Sequence, residues 1–364
     1  MARLDEAVAS LFAVGFEGLA PSKEVLELIR RGVHGVVLFG RNVANAEQVA
    51  EVVAELKRAA ARPLLIAVDQ EGGRVARLKA SHGFTELPSM RALGRTGDAG
   101  LAFEVGALLG RELRAVGIDQ DYAPVVDVDT NPLNPVIGDR SFSSDPAEVA
   151  RLGAALARGI QSVGVAACAK HFPGHGDTRE DSHFALPRLV HPMERLLAVE
   201  LLPFRELARA GVAAIMTAHV VFEALDAARP ATLSRRVMDL LRSDLAYDGY
   251  VLSDDLGMKA VAEHFSLEEV VPGVLAAGVD ALLVCEKAEV QHRAIDLARA
   301  AVEEGRVPQE RLAEAGRRVA RLLRFAGPPP DPRRAREYLV TEAHRALAAR
   351  LPAPAGGRDP TAVA

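Results

Sequence analysis

Eight short apolar runs, each followed by a helical pattern, constrain this chain more than any other feature. The runs are Leu11–Phe16, Gly35–Phe39, Leu64–Val68, Gly117–Val126, Gly164–Ala169, Ala213–Thr217, Tyr250–Ser253 and Ala281–Val284. They are nearly continuous in apolar residues rather than alternating, as strands buried on both faces require. Between them the apolar spacing turns helical. Ser22 precedes Val25, Leu28 and Ile29; Asn45 and Gln48 precede Val49, Val52, Val53 and Leu56; Asp98 precedes Leu101, Val105, Leu108 and Leu109. Asp145-Pro146 has the N-cap and first-turn pattern of a helix start. Further helical patterns cover about 193–210, 235–246 and 266–277, the last expected to be interrupted at Pro272. Eight such units predict an α/β chain, a single-domain (β/α)8 TIM-type barrel. An open, doubly wound sheet is the alternative. It would want a G-x-G-x-x-G turn after an early strand, and the chain has none.

The barrel is expected over 1–327, with two helical stretches after the eighth strand reaching about Phe325. Pro328–Pro332 breaks the pattern, and an amphipathic helix over about 333–350 forms a C-terminal extension, 328–351. Residues 352–364, rich in Pro, Ala and Gly, are expected to be disordered. Aromatics are 4% with no tryptophan, and the net charge is −5, so neither stacking platforms nor a basic field point to nucleic acid. Cys168 and Cys285 end apolar runs and read as small buried hydrophobes, with no disulfide framework. No signal peptide or membrane span is visible, which favours a cytoplasmic location.

A barrel keeps its chemistry on the loops that leave the C-terminal ends of its strands. The stretch Lys170–His183 holds three histidines, two aspartates and a lysine, and reads as a loop. Asp69, Glu71, Arg74 and Arg77 follow the third run. Asp139 and Arg140 follow the fourth, His219 the sixth, and Asp254 and Asp255 the seventh. Carboxylates and bidentate arginines at one mouth suit a small polyhydroxylated ligand. Plainer readings stand beside this one. Asp69 or Arg140 alone fits a surface ion pair, His219 a satisfied core histidine, and one of Asp254 and Asp255 a helix N-cap. A metal on His171, His175, Asp177 and His183 is opposed by Lys170, which repels a cation. Asp181 and His183 are two apart, so in an extended segment they face the same way. Asp181 then fixes the tautomer of His183, which acts as acid and base near neutral pH. Asp254 supplies a carboxylate nucleophile.

Taken together, several blocks resemble the β-N-acetylglucosaminidases (β-hexosaminidases) of bacterial glycoside hydrolase family 3. They are Lys170-His171-Phe172-Pro173-Gly174-His175-Gly176-Asp177-Thr178, Asp181-Ser182-His183, Val68-Asp69-Gln70-Glu71-Gly72-Gly73-Arg74-Val75, Gly138-Asp139-Arg140-Ser141-Phe142 and Ser253-Asp254-Asp255-Leu256. The resemblance spans about residues 10–325. It implies retaining hydrolysis of terminal β-linked N-acetylglucosamine, with Asp254 as nucleophile, His183 as acid/base and Asp181 as its partner. Asp69, Arg77, Arg140, Lys170 and His171 would hold the sugar. It further implies a cytoplasmic monomer acting on anhydro-muropeptides or chito-oligosaccharides during cell-wall recycling. No metal or organic cofactor is implied, and neither nucleic acid nor membrane is a partner. In this branch a histidine stands where most glycosidases use a second carboxylate, so carboxylate spacing says nothing of the stereochemistry. Thr341–Ala348 looks like the linker to a second domain in larger relatives. A phosphorylase on the same site, a metal-dependent hydrolase and a non-catalytic carbohydrate-binding module are the competing readings.

Overall fold

The computed structural model describes residues 2–179, 186–354, 357 and 359–361. Eight parallel strands close a barrel: β1 Phe12–Val14, β2 Gly35–Leu38, β3 Leu65–Val68, β4 Gln120–Asp121, β5 Ala166–Phe172, β6 Ala214–Thr217, β7 Tyr250–Asp255 and β8 Ala281–Val284. Each strand pairs with its neighbours in sequence, and β8 returns to β1 through Phe12 opposite Leu282. The connecting helices are α1 Lys23–Arg31, α2 Ala46–Ala59, α3 Ala99–Ala115, α4 Pro146–Ser162, α5 Leu201–Arg209, α6 Arg235–Asp239, α7 Leu267–Ala277 and α8 Ala288–Glu303. Ser22, Asn45, Asp98 and Asp145 cap α1 to α4, each accepting from a first-turn amide. α3 and α4 pack through glycines. A Cβ at Gly106 would lie 2.2 Å from the Leu156 carbonyl, and one at Gly159 would lie 2.1 Å from that of Phe103. Both backbones therefore approach closer than any other residue type permits.

Several boundaries differ from the sequence reading. β5 runs on through Lys170, His171 and Phe172, so these are strand rather than loop. All seven of its residues are buried, and Lys170 and His171 pair there with buried carboxylates of other segments, which breaks the apolar run. β7 likewise extends to Asp255. β4 shortens to Gln120–Asp121; beyond it Pro124, which has no N–H, interrupts the ladder between the Tyr122 and Val126 amides, which bond the Val68 and Lys170 carbonyls. α7 passes through Pro272 without interruption; the missing donor falls opposite the exposed residue Glu268, whose carbonyl water can satisfy. The pattern at 193–210 divides into Met193–Ala198 and α5, and the one at 235–246 passes from α6 into a π turn, Leu240–Asp244. After α8, helix α9 (Gln309–Leu322) and a turn to Phe325 lie across the N-terminal ends of the strands. The extension is a 3₁₀ segment, Pro332–Tyr338, followed by α10, Glu342–Ala348. His344 of α10 and Thr85 both bond the buried Glu112 of α3, which ties the extension to the barrel.

Two buried aspartates fasten the base. Asp119, before β4, takes Lys57 Nζ at 2.9 Å, Arg114 Nη1 at 2.7 Å and the amides of Ile66 and Gly327. Asp280, before β8, takes Arg242 at 2.6 Å, Arg311 at 2.5 Å, Arg318 at 3.2 Å and the amide of Val251. Among the described residues no helix is long and apolar enough to cross a membrane.

Candidate active site

The opposite end of the barrel carries a chain of alternating charges. Asp69 leaves β3, and a small hairpin returns Arg77 beside it. The hairpin needs glycine: Gly72 and Gly73 have φ of 94° and 58°, and a Cβ at Gly73 would lie 2.8 Å from Ser89 Cα. Arg77 Nη2 donates to Asp69 Oδ2 at 3.3 Å. Lys170 Nζ, on β5, lies 2.6 Å from Asp69 Oδ1 and 2.6 Å from Glu71 Oε1. Arg140 grips Glu71 with two bonds of 2.8 Å. The order is thus Arg77, Asp69, Lys170, Glu71, Arg140, with side chains 16% exposed at Asp69 and 7% or less elsewhere. Burial alone would raise the carboxyls of Asp69 and Glu71. Lys170 and Arg77 at Asp69, and Arg140 and Lys170 at Glu71, outweigh it and hold both below their ordinary values. Burial would lower Lys170, but its two carboxylates raise it instead. All five groups are therefore charged at neutral pH. Nearby Asp121 accepts the Gln70 amide through Oδ1 while its Oδ2 is buried without a partner among the described residues; burial pushes its carboxyl well above the usual range.

His171, next on β5, is held by a second buried carboxylate. Asp127 Oδ2 lies 2.7 Å from His171 Nδ1, and its Oδ1 accepts the amides of His171 and His175. A carboxylate at Nδ1 turns Nε2 into the ring's free working nitrogen. The His175 ring stands edge-on to His171 at 5.9 Å, and burial and His171 lower its pKa to about 4. Gly176 packs on the Val128 carbonyl so closely that a Cβ would sit 1.8 Å from it. Asn134 bonds the His175 carbonyl at 2.8 Å, and Asn131 the Thr178 carbonyl at 3.0 Å. Asp177 pairs with His191 and, at 3.2 Å, with Arg195.

Asp254 and Asp255 end β7. The Asp255 amide donates to Asp254 Oδ1 at 2.8 Å and so orients that carboxylate. Asp255 Oδ1 accepts the amides of Gly257 and Cys285, and burial raises its carboxyl to about 6. Neither aspartate caps a helix; Asp255 closes a turn instead. His219 bonds Thr232 and the Asp255 carbonyl, as a buried histidine supporting β7 would.

Of the expected residues, Asp69, Arg77, Arg140 and Lys170 form one network, buried rather than a surface ion pair. His171 borders it and Asp254 stands on the same face of the barrel. Asp181 and His183 lie outside the described residues. Asp127 was missed as a site residue, and Glu71 was named among the residues after the third run but given no role. Their signal was burial beside arginine and histidine, which no linear spacing reveals. Among the described residues no group of three or more His, Cys, Asp or Glu side chains is arranged to hold a metal ion.

Residues 3–322 match the family model described as the glycosyl hydrolase family 3 N-terminal domain. The chain belongs to glycosyl hydrolase family 3. It is 39% identical over 307 residues to a β-hexosaminidase of Bordetella parapertussis, covering 82% of this chain and 84% of that one. Identity to the β-hexosaminidase of Thiobacillus denitrificans is 44% over 265 residues, 71% of this chain and 73% of the relative. Among solved structures, a family 3 β-N-acetylglucosaminidase from Paenibacillus superposes with a TM-score of 0.89 at 43% identity, over 95% of this chain and 68% of that one. A β-N-acetylhexosaminidase from Beutenbergia cavernae gives 0.82 at 30% identity, over 88% and 98%. This family 3 chain is a glycoside hydrolase.

Proposed function

We propose that the enzyme releases terminal, non-reducing β-linked N-acetylglucosamine with retention of configuration. The observation that carries this is the buried chain from Arg77 to Arg140, set beside a strand-end aspartate whose carboxylate is oriented by its neighbour's amide. Such a chain offers donors and acceptors, held in place by one another, to adjacent hydroxyls. Asp69 and the Nε2 of His171 accept from hydroxyls, while Arg77, Lys170 and Arg140 donate. Asp254 attacks the anomeric carbon, and the aglycone oxygen leaves with a proton from His183. His183, its tautomer set by Asp181, then takes a proton from water, which attacks the anomeric carbon and frees Asp254. No step calls for a metal or organic cofactor. The physiological substrates that fit are N-acetylglucosaminyl anhydro-muropeptides or chito-oligosaccharides, met by a cytoplasmic monomer during peptidoglycan recycling.

A second reading, phosphorolysis, is favoured by one feature: three cations face two carboxylates, and a neutral imidazole does not repel phosphate as a carboxylate would. Turnover of an aryl β-N-acetylglucosaminide with and without phosphate, the product anomer followed by NMR, separates the two. Hydrolysis gives the β anomer of the free sugar first. A sugar phosphate as the main product would reassign the enzyme, and comparable kcat/KM on an aryl β-glucoside would remove the acetamido preference.

A further inference from the structure

Beyond Leu351, residues 359–361 lie at the mouth. Asp359, Pro360 and Thr361 lie half-buried there, and both polar side chains end on Arg77. Thr361 Oγ1 accepts from Arg77 Nη2 at 2.7 Å, and Asp359 Oδ2 pairs with Nη1. Asp359 Oδ1 accepts the Thr361 amide at 2.8 Å and its hydroxyl at 2.7 Å, so the two oxygens on Arg77 are held as a fixed pair. Gly357 runs over Arg74: a Cβ there would lie 3.6 Å from Arg74 Cδ. Arg74 is itself paired with Asp139 at 2.6 Å.

The donors of Arg77 are counted easily. Nη2 has two protons, one directed at Asp69 and one at Thr361; Nη1 gives one to Asp359. Nε is buried without a partner among the described residues. Three of the four Nη protons are therefore engaged, two of them by Thr361 and Asp359, and a hydroxyl arriving there competes with these two oxygens. Charge acts in the same direction. Arg77, Lys170 and Arg140 exceed Asp69 and Glu71 by one positive charge, and the carboxylate of Asp359 neutralises it. A pair of adjacent oxygens, one of them a hydroxyl, is also what two neighbouring positions of a sugar ring present.

We propose that the segment around Asp359 and Thr361 is a built-in competitor for the sugar site, resting on Arg77 in the free enzyme and displaced when substrate binds. This rests on the reading of Arg77 as a sugar-holding residue. The apparent affinity of a site open only a fraction of the time falls by that fraction, so a strap docked about nine-tenths of the time raises KM about tenfold.

The test is the full chain carrying Asp359→Ala with Thr361→Ala, assayed on an aryl β-N-acetylglucosaminide. KM should fall by about three- to tenfold, the inhibition constant of N-acetylglucosamine should fall with it, and kcat should stay unchanged. Rising salt screens the partly exposed pair, so the wild-type KM should fall with ionic strength while that of the variant does not. An unchanged KM would overturn the proposal, and a raised KM would make the segment part of the binding site instead. Docking is read separately by a fluorophore on Ala364→Cys. Its anisotropy should drop in the double variant whether or not a sugar is turned over, and no drop would refute docking itself. Lack of turnover by every form, with the anisotropy drop present, would count against the hexosaminidase reading alone.

Discussion

The two ends of this barrel bury charge in opposite ways. At the base, Asp119 and Asp280 are single centres, each gathering cations and backbone amides from distant segments: Ile66 and Gly327 at the first, Val251 at the second. At the mouth, Asp69, Glu71, Lys170, Arg77 and Arg140 bond mainly to side chains: to one another and, at Arg77, to Asp359 and Thr361. A carboxylate that binds backbone joins pieces of chain and cannot be given up without loosening the fold. A side chain that binds another side chain can exchange its partner for a ligand. The base is built for stability and the mouth for binding, the division expected of this architecture.

The comparison is broken most strongly at Asp254. Asp254→Ala should lower kcat by about 10⁴-fold or more, since the reacting atom is gone, and leave the thermal midpoint in place. The same change at Asp255 should cost far less activity. If Asp255→Ala is the dead variant, the nucleophile is misassigned by one residue. His183→Ala should lower the rate by about 10²–10⁴-fold on poor leaving groups, with a much smaller loss in the glycosylation step for a dinitrophenolate. Equal losses on both leaving groups, with no rescue by azide, would reduce His183 to a binding role.

Asp280→Ala is the mirror case. It removes the buried carboxylate shared by Arg242, Arg311 and Arg318 and should cost about 3–5 kcal/mol in urea unfolding, while kcat/KM of the folded enzyme holds. Glu71→Gln sharpens the contrast. It removes a charged partner from Lys170 and Arg140 and should weaken sugar binding by about 1.5–3 kcal/mol, seen in KM and in inhibition by N-acetylglucosamine. A variant that unfolds easily yet binds normally would place Glu71 with the base residues.

The smallest effect is shared by both ends. His34, bonded to Tyr250 at the base, and His175 at the mouth are both lowered by burial from 6.5 to about 4. The unfolded chain takes up these protons near 6.5 and the folded chain resists until about 4. Stability from both is thus complete above pH 6.5 and is lost as the pH falls towards 4. Unfolding midpoints across that window should fall with acid, and His34→Gln should flatten part of the slope. An unaltered slope would remove His34 from the account.

Much of this was legible in the chain. Buried parallel strands leave unbroken apolar runs, so β8 was located to the residue and the helix caps at Ser22, Asn45, Asp98 and Asp145 followed from local chemistry. The ends of β5 and β7 were not, because Lys170, His171, Asp254 and Asp255 are polar for the site's sake and strand by pairing. Asp69, Arg77, Arg140 and Lys170 were visible as motif residues. The role of Glu71 and the presence of Asp127 were not, since their meaning lies in contacts with residues 69 and 44 positions away. Asp359 was hidden for the same reason. A Pro- and Ala-rich stretch carries no periodic signal, and only the fold brings it to Arg77.

The central claim is that the mouth performs covalent catalysis at Asp254. The most direct measurement is mass spectrometry of His183→Ala quenched during turnover of a dinitrophenyl β-N-acetylglucosaminide. Deglycosylation stalls without its base, so the protein should gain one N-acetylglucosaminyl group, and peptide mapping should place it on Asp254. An adduct on Asp255 or elsewhere, or none while dinitrophenolate is still released in a burst, would contradict the account.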